Sequence, residues 1–359
     1  MFKFEKKSKI KAGEGLENGE YKFFTSSPIQ NKFLDKYIFD SESLIFGTGG
    51  QPSIHYCDEK FSTSTDCFVI TSKNNEVLPK YVYYYLKSNI HILERGFKGA
   101  GLKHISKKYL QNIEIPFPID ISIQKDMIKK LTIIDELIQM RNQSINLMDK
   151  YLNSLFESIF INENFNTDLL KNHTILITSG STPKGGSKNY SANGDILFIR
   201  SQNVLMNKFS NHESLYISSE IHNKMKRTWV KTNDVLLNIT GASIGRTVVY
   251  EGPSNKANLN QHVCIIRLKD FNEINPIFLN YYFSSNIIQK HIKKVNSGAT
   301  REALNFTQIG NFEIIIPPIE IQNDFANTVK KIRKIGQQQI MSREKLQYLF
   351  DAVLQKFLK

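Results

Sequence analysis

The sequence predicts an α+β protein made from one duplicated unit. Two similar mixed domains are each followed by a long helix, and the two helices pair as an antiparallel coiled coil about a pseudo-two-fold. Three observations predict this. The chain repeats short blocks in one order. Each copy holds brief β-rich runs separated by Gly, Asn, Ser and Pro. Each copy then closes on a segment whose apolar residues recur at alternating three and four.

The repetition is read first, because a missed repeat misreads the fold. Residues 18–26 (NGEYKFFTS) align with 193–201 (NGDILFIRS), and 79–86 (PKYVYYYL) with 276–283 (PIFLNYYF). Residues 112–118 (NIEIPFP) meet 311–318 (NFEIIIPP) with one residue of slack, and Gln124 and Asp126 then meet Gln322 and Asp324. Four matches in the same order point to duplication of a unit of about 160–195 residues.

The segments follow in order: a domain at 1–118, a spacer helix at 119–160, a second domain at 161–318 and a second spacer helix at 319–359. Strands are expected at 21–25, 43–46 and 67–71, and at 195–200, 234–239, 247–250 and 263–268. A helix is expected at 80–93 and again at 277–294. Each domain should end on a short strand, 112–115 and 311–316, stopped by prolines at 116 and 118 or at 317 and 318. Proline cannot donate to a ladder, which gives the boundary a mechanism.

In the first spacer, Ile123, Met127, Leu131, Ile134, Ile138, Ile145, Met148, Leu152, Leu155 and Ile159 form a seam, broken only at Arg141. The second has Ile321, Phe325, Val329, Ile332, Leu346, Phe350, Val353 and Phe357, with Gly336, Gln339 and Arg343 in its poorer middle. Two such stripes bury most simply against each other, although each helix could instead pack on its own domain. Leu137, Leu147 and Phe156 beside the first seam, and Ile335, Ile340 and Leu349 beside the second, should remain as docking surface.

Lys and Arg number 47 against 34 Asp and Glu, a net charge of +13. That excess favours a polyanion, with nucleic acid ahead of a membrane surface. Both domains share it, at +4 over 1–118 and +6 over 161–318. Three cysteines support no disulfide framework, so a reducing cytoplasm is the expected compartment. No apolar run approaches the roughly 18 residues of a membrane helix, and the opening residues carry no signal-peptide core.

Catalytic signatures fail one by one. There is no CxxC and no HExxH, and His55, Cys57 and Cys67 read as core and surface residues rather than metal ligands. The stretch 180–187 (GSTPKGGS) puts Gly186 where a phosphate loop needs its lysine. Asn275-Pro276-Ile277-Phe278 is near the tetrapeptide of amino-methyltransferases but lacks the second proline, and no strand–GxGxxG–helix precedes it.

Recognition chemistry is better represented. The TGASIGR run at 240–246 follows an apolar strand, with Thr240, Ser243 and Arg246 as candidate contacts and glycines that permit close approach. A plain hairpin turn is an equal reading. Its first-copy counterpart is 47–51, with Thr48 and Gln51. Residues 296–301 supply Asn296, Thr300 and Arg301, matched by Lys98, Lys103 and His104. Gln202, Asn203 and Lys32 extend the set, and Lys184 and Lys188 suit phosphates. Arginine pairs with guanine, and Asn or Gln with adenine, in the commonest major-groove contacts.

With these residues the chain resembles the DNA-specificity (S) subunit of type I restriction–modification systems. The stretch SGATREALNFTQIGNFEIIIPPIEIQ at 297–322, the loop at 240–246, NQHVCIIRL at 260–268 and the domain–helix repeat carry the resemblance, which covers essentially the whole chain. The first copy departs from it: GAGLK at 99–103 replaces the TRE-type sequence, and the loop at 47–51 has no arginine. The resemblance implies two target recognition domains, each reading half of a split double-stranded DNA site, with the coiled coil setting the gap. It implies modification subunits, two of them, bringing S-adenosylmethionine and the adenine methyltransferase site. A restriction subunit would add ATP- and Mg-dependent translocation and cleavage. The S subunit itself would catalyse nothing and bind no cofactor. The competing readings are a non-specific DNA- or RNA-bridging protein and a stand-alone adenine DNA methyltransferase.

Overall fold

The computed structural model describes residues 2–74, 76–183, 185–296 and 303–358. The chain divides into two compact units, residues 1–143 with 339–359, and residues 144–338.

In the first unit the strands of the two main sheets are β1 (Phe2–Phe4), β2 (Tyr21–Phe24), β3 (Lys32–Leu34), β4 (Ser43–Gly47), β5 (Ile54–Cys57), β6 (Phe61–Thr63) and β7 (Cys67–Ser72). In the second they are β8 (Thr174–Ser179), β9 (Ile196–Ile199), β10 (Leu215–Ile217), β11 (Val235–Asn238), β12 (Thr247–Val249), β13 (Ala257–Leu259) and β14 (Val263–Leu268). One four-stranded sheet runs β1-β7-β4-β5 and its counterpart β8-β14-β11-β12, both wholly antiparallel. One three-stranded sheet runs β3-β2-β6 and its counterpart β10-β9-β13, each with one antiparallel and one parallel pairing. Seven strands recur in the same chain order, so the duplication reaches the level of topology. The central strands β4 and β11 are buried along their whole length, which explains their unbroken apolar reading.

The expected helices at 80–93 and 277–294 are each two helices. Pro79–Ser88 and Ile90–Glu94 are separated at Asn89 (φ −111°, ψ 46°), and Pro276–Ser284 and Asn286–Asn296 at Ser285, whose extended backbone ends the first helix. Proline opens both first helices, where its missing N–H has no intrahelical use. Asn275 accepts from the Ile277 N–H at 2.9 Å, so the methyltransferase-like tetrapeptide is a helix cap.

The closing strand forms in only one copy. Glu313–Ile315 pairs antiparallel with Thr167–Leu169. Residues 112–115 form no strand: no strand among the described residues lies beside them, and Pro116 removes a donor where the second copy continues into Ile315.

The long helices are continuous over Ile121–Phe156, ending in a π-turn at Glu157–Ile161, and over Ile319–Leu358. Within each unit the start of one long helix packs beside the end of the other, and both pack on the domain. In the first unit Met127, Leu131 and Ile134 share a core with Tyr81, Leu86, Phe350 and Leu354. In the second, Leu152 and Phe156 share one with Phe278, Phe325 and Val329. Self-pairing and packing on the home domain are therefore both realised. Phe156, expected as docking surface, is 1% exposed, with ring centroids 4.9 Å from Phe160 and 5.4 Å from Phe325. Leu137, Leu147, Ile335 and Leu349 are exposed as expected, Ile340 is half-buried, and Ile123 and Ile321 at the seam starts are also open.

One residue type fastens each long helix to its domain. Gln124 is fully buried; its Oε1 accepts from the Leu78 N–H at 3.0 Å, and its Nε2 donates to the carbonyls of Glu76 (2.9 Å) and Pro118 (2.8 Å). Gln322 repeats this with Asn275 N–H (2.9 Å), Glu273 (3.0 Å) and Pro317 (2.7 Å). Replacing either glutamine by leucine leaves three buried backbone groups without partners, at roughly 1–3 kcal/mol each before relaxation. Gln322→Leu is expected to lower unfolding stability by about 3 kcal/mol or more, read from the urea midpoint, whereas the exposed Gln347→Leu should change it by less than about 0.5 kcal/mol.

Candidate nucleic-acid interface

In the first unit the loop after β4 and the hairpin Phe97–Lys98/His104–Ile105 are tied together. The Ile105 N–H donates to Thr48 O at 3.0 Å, the Gly50 N–H to Lys103 O at 3.3 Å, and His104 Nδ1 lies 3.1 Å from Thr48 O. Ser26 joins them, accepting from the Gly49 N–H at 3.4 Å and donating to Asp66 O at 2.8 Å. Four segments distant in sequence thus meet at one end of the sheet. Gln51, Lys98, Lys103 and His104 are exposed there. Thr48 is buried and its hydroxyl donates to Asp66 O at 3.0 Å, so it holds the cluster instead of facing outward. Lys32 is half-buried on β3, where its carbonyl accepts from Gln30 Nε2 at 2.6 Å, and no hydrogen bond among the described residues ties it to this cluster.

The second unit repeats the arrangement. The Leu304 N–H donates to Ile239 O at 2.9 Å, and Thr240 bridges to Ala303, so the 240–246 loop meets residues 303 and 304. The loop is a closed hairpin: the Gly245 N–H donates to Asn238 O and the Asn238 N–H to Arg246 O, both at 2.8 Å. Gly245 has φ +85°, and a Cβ there would sit 2.8 Å from Gln289 Oε1, whose amide donates to the Gly245 carbonyl at 2.9 Å. The close approach that this glycine permits is therefore to the chain itself. The hairpin turns Arg246 outward; it is exposed, and its guanidinium makes no hydrogen bond or ion pair among the described residues. Ser243 is half-buried in the 3₁₀ turn Gly241–Ser243, and Thr240 Oγ1 lies 2.6 Å from His262 Nδ1.

The remaining expected residues divide. Gln202 is exposed, with its amide 3.0 Å from the Glu213 carboxylate, and Lys188 is exposed at the turn Gly186–Asn189. Asn203 departs from the expectation of a base-edge contact. It is fully buried, accepts from the Arg200 N–H at 3.0 Å and donates to Ser210 O at 2.9 Å, because it closes the turn that carries Gln202. Asn296 ends the helix Asn286–Asn296, while Lys184, Thr300 and Arg301 lie outside the described residues.

Sequence reasoning on single residues missed His262, Gln261 and Asn238. Asn238 is fully buried and donates to Ser201 O at 2.8 Å, pinning the 201–203 turn to the end of β11. Gln261 and His262 touch through their Nε2 atoms at 3.1 Å and border the same loop. The available signal was the polar triple 260–262 between two apolar strands.

Two copies of one loop-bearing domain, each joined to a long helix, define a tandem-repeat protein that presents two matching loop clusters. The sequence model described as the type I restriction modification DNA specificity domain matches residues 1–148 and 163–346, and the chain belongs to this family. It is 23% identical over 356 residues to the type I restriction enzyme MjaVIII specificity subunit of Methanocaldococcus jannaschii, covering 91% of this chain and 82% of that protein. It is 22% identical over 337 residues to the EcoBI specificity subunit of Escherichia coli, covering 86% and 70%. The crystal structure of the S subunit from M. genitalium has the same fold, with a TM-score of 0.63 at 16% identity over 99% of this chain and 93% of that one.

One half-buried histidine contacts the residue next to Ser26 of the first loop cluster. His55 Nε2 contacts Ser27 O at 2.9 Å, and burial holds its pKa below the ordinary value. The unfolded chain then binds a proton that the folded one refuses, so stability is full above the ordinary histidine pKa of about 6.5 and falls as pH drops below it. The urea midpoint is expected to fall between pH 7.5 and 5.5, and His55→Gln should flatten that slope.

Proposed function

We propose that this chain is the noncatalytic, sequence-specific double-stranded DNA-binding subunit of a type I restriction–modification complex, reading a bipartite site. Domains 1–118 and 161–318 would each read one half, and the long helices would set the gap. The carrying observation is that both copies gather the same loops at the same strand ends, although the loop sequences differ. One scaffold presenting two different side-chain sets suits two different half-sequences. Within each set, Gln51, Lys98, Lys103 and His104, or Gln202, Arg246 and Lys188, are the exposed groups. Arg301, Thr300, Asn296 and Lys184 belong to the second set by sequence.

Two modification subunits would dock on the scaffold and bring S-adenosylmethionine and the adenine methyltransferase site; a restriction subunit would bring ATP- and Mg-dependent cleavage. The apolar residues left open on the long helices, Leu137 and Leu147 among them, suit such docking.

Methylome sequencing of the host with and without this gene tests the reading. Loss of one bipartite adenine-methylated motif is expected; an unchanged methylome would refute it. Within the complex, Arg246→Ala should relax preference at one base pair of one half-site, at about 1–3 kcal/mol, and leave the other half-site untouched. Selection from a randomised DNA library reads this, and a uniform loss at all positions would make Arg246 a phosphate contact.

A further inference from the structure

Asn260, Gln261 and His262 join β13 to β14, and Ser64, Thr65 and Asp66 stand in their places between β6 and β7. Backbone hydrogen bonds fix the match. The Asn260 N–H donates to Ile199 O at 3.0 Å and the Ser64 N–H to Phe24 O at 2.8 Å; the Ile239 N–H donates to His262 O at 3.0 Å and the Thr48 N–H to Asp66 O at 2.9 Å. The corner is also closed in the same way in both copies. Asn260 Oδ1 accepts from the His262 N–H at 3.1 Å, and Ser64 Oγ from the Asp66 N–H at 3.2 Å. Both closing residues are buried. The corner therefore forms without help from the side chains at its next two positions, and there the copies differ in length and chemistry.

In the second copy these two side chains are held by their neighbours. The Gly180 N–H donates to Asn260 O at 3.1 Å and draws in the segment after β8, from which Thr182 Oγ1 donates to Gln261 Oε1. Gln261 Nε2 lies 3.1 Å from His262 Nε2. An amide nitrogen only donates, so the ring nitrogen accepts and the imidazole proton sits on Nδ1. That proton is donated to Thr240 Oγ1, 2.6 Å away. Four side chains thus form one chain from Thr182 to Thr240, along the loop cluster of this unit.

Gln261 is exposed, and its side chain makes no further hydrogen bond among the described residues. An amide carries two donors and two acceptor sites. With one of each spent on His262 and Thr182, one of each remains, the pair that adenine takes at its N7 and N6 amine in the major groove. The two flanking bonds also hold the side chain in one rotamer before DNA arrives, which lowers the ordering cost of binding. The first-copy corner cannot do the same: Thr65 has no amide, and the Asp66 carboxylate has only acceptors.

We propose that Gln261 reads one adenine of the half-site taken by residues 161–318, and that His262, Thr182 and Thr240 are positioning residues that fix its amide. The assignment rests on the reading of this chain as a DNA-specificity subunit and adds to it a base and the residue that reads it.

The test is selection from a randomised DNA library by the full chain in complex with its modification subunits. The parent is expected to select a bipartite motif. Gln261→Ala should lose about tenfold in preference for adenine at one position of one half-site and leave the other half-site unchanged. Gln261→Glu should exchange that adenine for cytosine, because a carboxylate accepts from the cytosine N4 amine and has no proton for adenine N7. His262→Phe keeps a ring but removes both polar contacts; it should weaken preference at the same position and add nothing to the effect of Gln261→Ala. An unchanged motif in Gln261→Ala would overturn the proposal. So would a loss spread evenly over all positions, or a lost preference for a base other than adenine. His262→Phe at the parental level of adenine preference would overturn the positioning role. A parent that selects no motif at all would overturn the DNA-specificity reading itself, and this assignment with it.

Discussion

The repeated architecture depends on a buried amide. A long helix leaving a domain through a proline-containing connection has no backbone ladder to fix its direction, because proline supplies no donor and the first helical N–H groups are unspent. Gln124 and Gln322 solve this with one side chain each. The amide accepts from the opening of the domain's own helix and donates to two carbonyls, one before that helix and one in the connection. All three contacts are withdrawn from water, so the direction of the helix and the position of the domain become one choice. Each glutamine ties strands, helix and proline turn into a body rigid enough for loops at the far strand ends to keep their places.

Those loops are ordered from within. Inward-facing polar side chains, Thr48 in one copy and Asn203 and Asn238 in the other, spend their hydrogen bonds on the backbone. Long or charged side chains such as Lys103, Gln202 and Arg246 are left outside. The division explains how one fold can carry many specificities. Outward residues can change without disturbing the inner network, whereas a change at Asn203 would release the turn that presents Gln202.

Much of this was legible in the sequence, for identifiable reasons. Apolar runs such as 235–239 and 263–268 are nearly continuous because their strands lie at the sheet centre, and the seams show because helical spacing repeats over many turns. Loops 47–51 and 98–104 were each matched to a counterpart in the second copy, but no residue pattern showed that the two meet. What could not be read was tertiary in origin. Asn203 and Arg246 look alike as loop polars; only the fold turns one inward. Phe156 lies beside its seam by spacing, yet the domain at that end of the helix buries it. Residues 112–115 have the composition of a strand but no neighbour to pair with among the described residues.

The division of the long helices carries a consequence for biosynthesis. Residues 144–338 are one unbroken stretch of chain, so that unit can close as soon as it has been made. The other unit is discontinuous: the helical face bearing Met127 and Leu131 shares its core with Phe350 and Leu354. At synthesis rates of about 5–20 residues per second, that face waits roughly 10–40 s for its partner. During the wait the nascent chain presents an unsatisfied apolar stripe, while a closely similar stripe is emerging behind it. The order of translation thus sets a kinetic hazard that the finished fold no longer displays. The half that is read first is completed last.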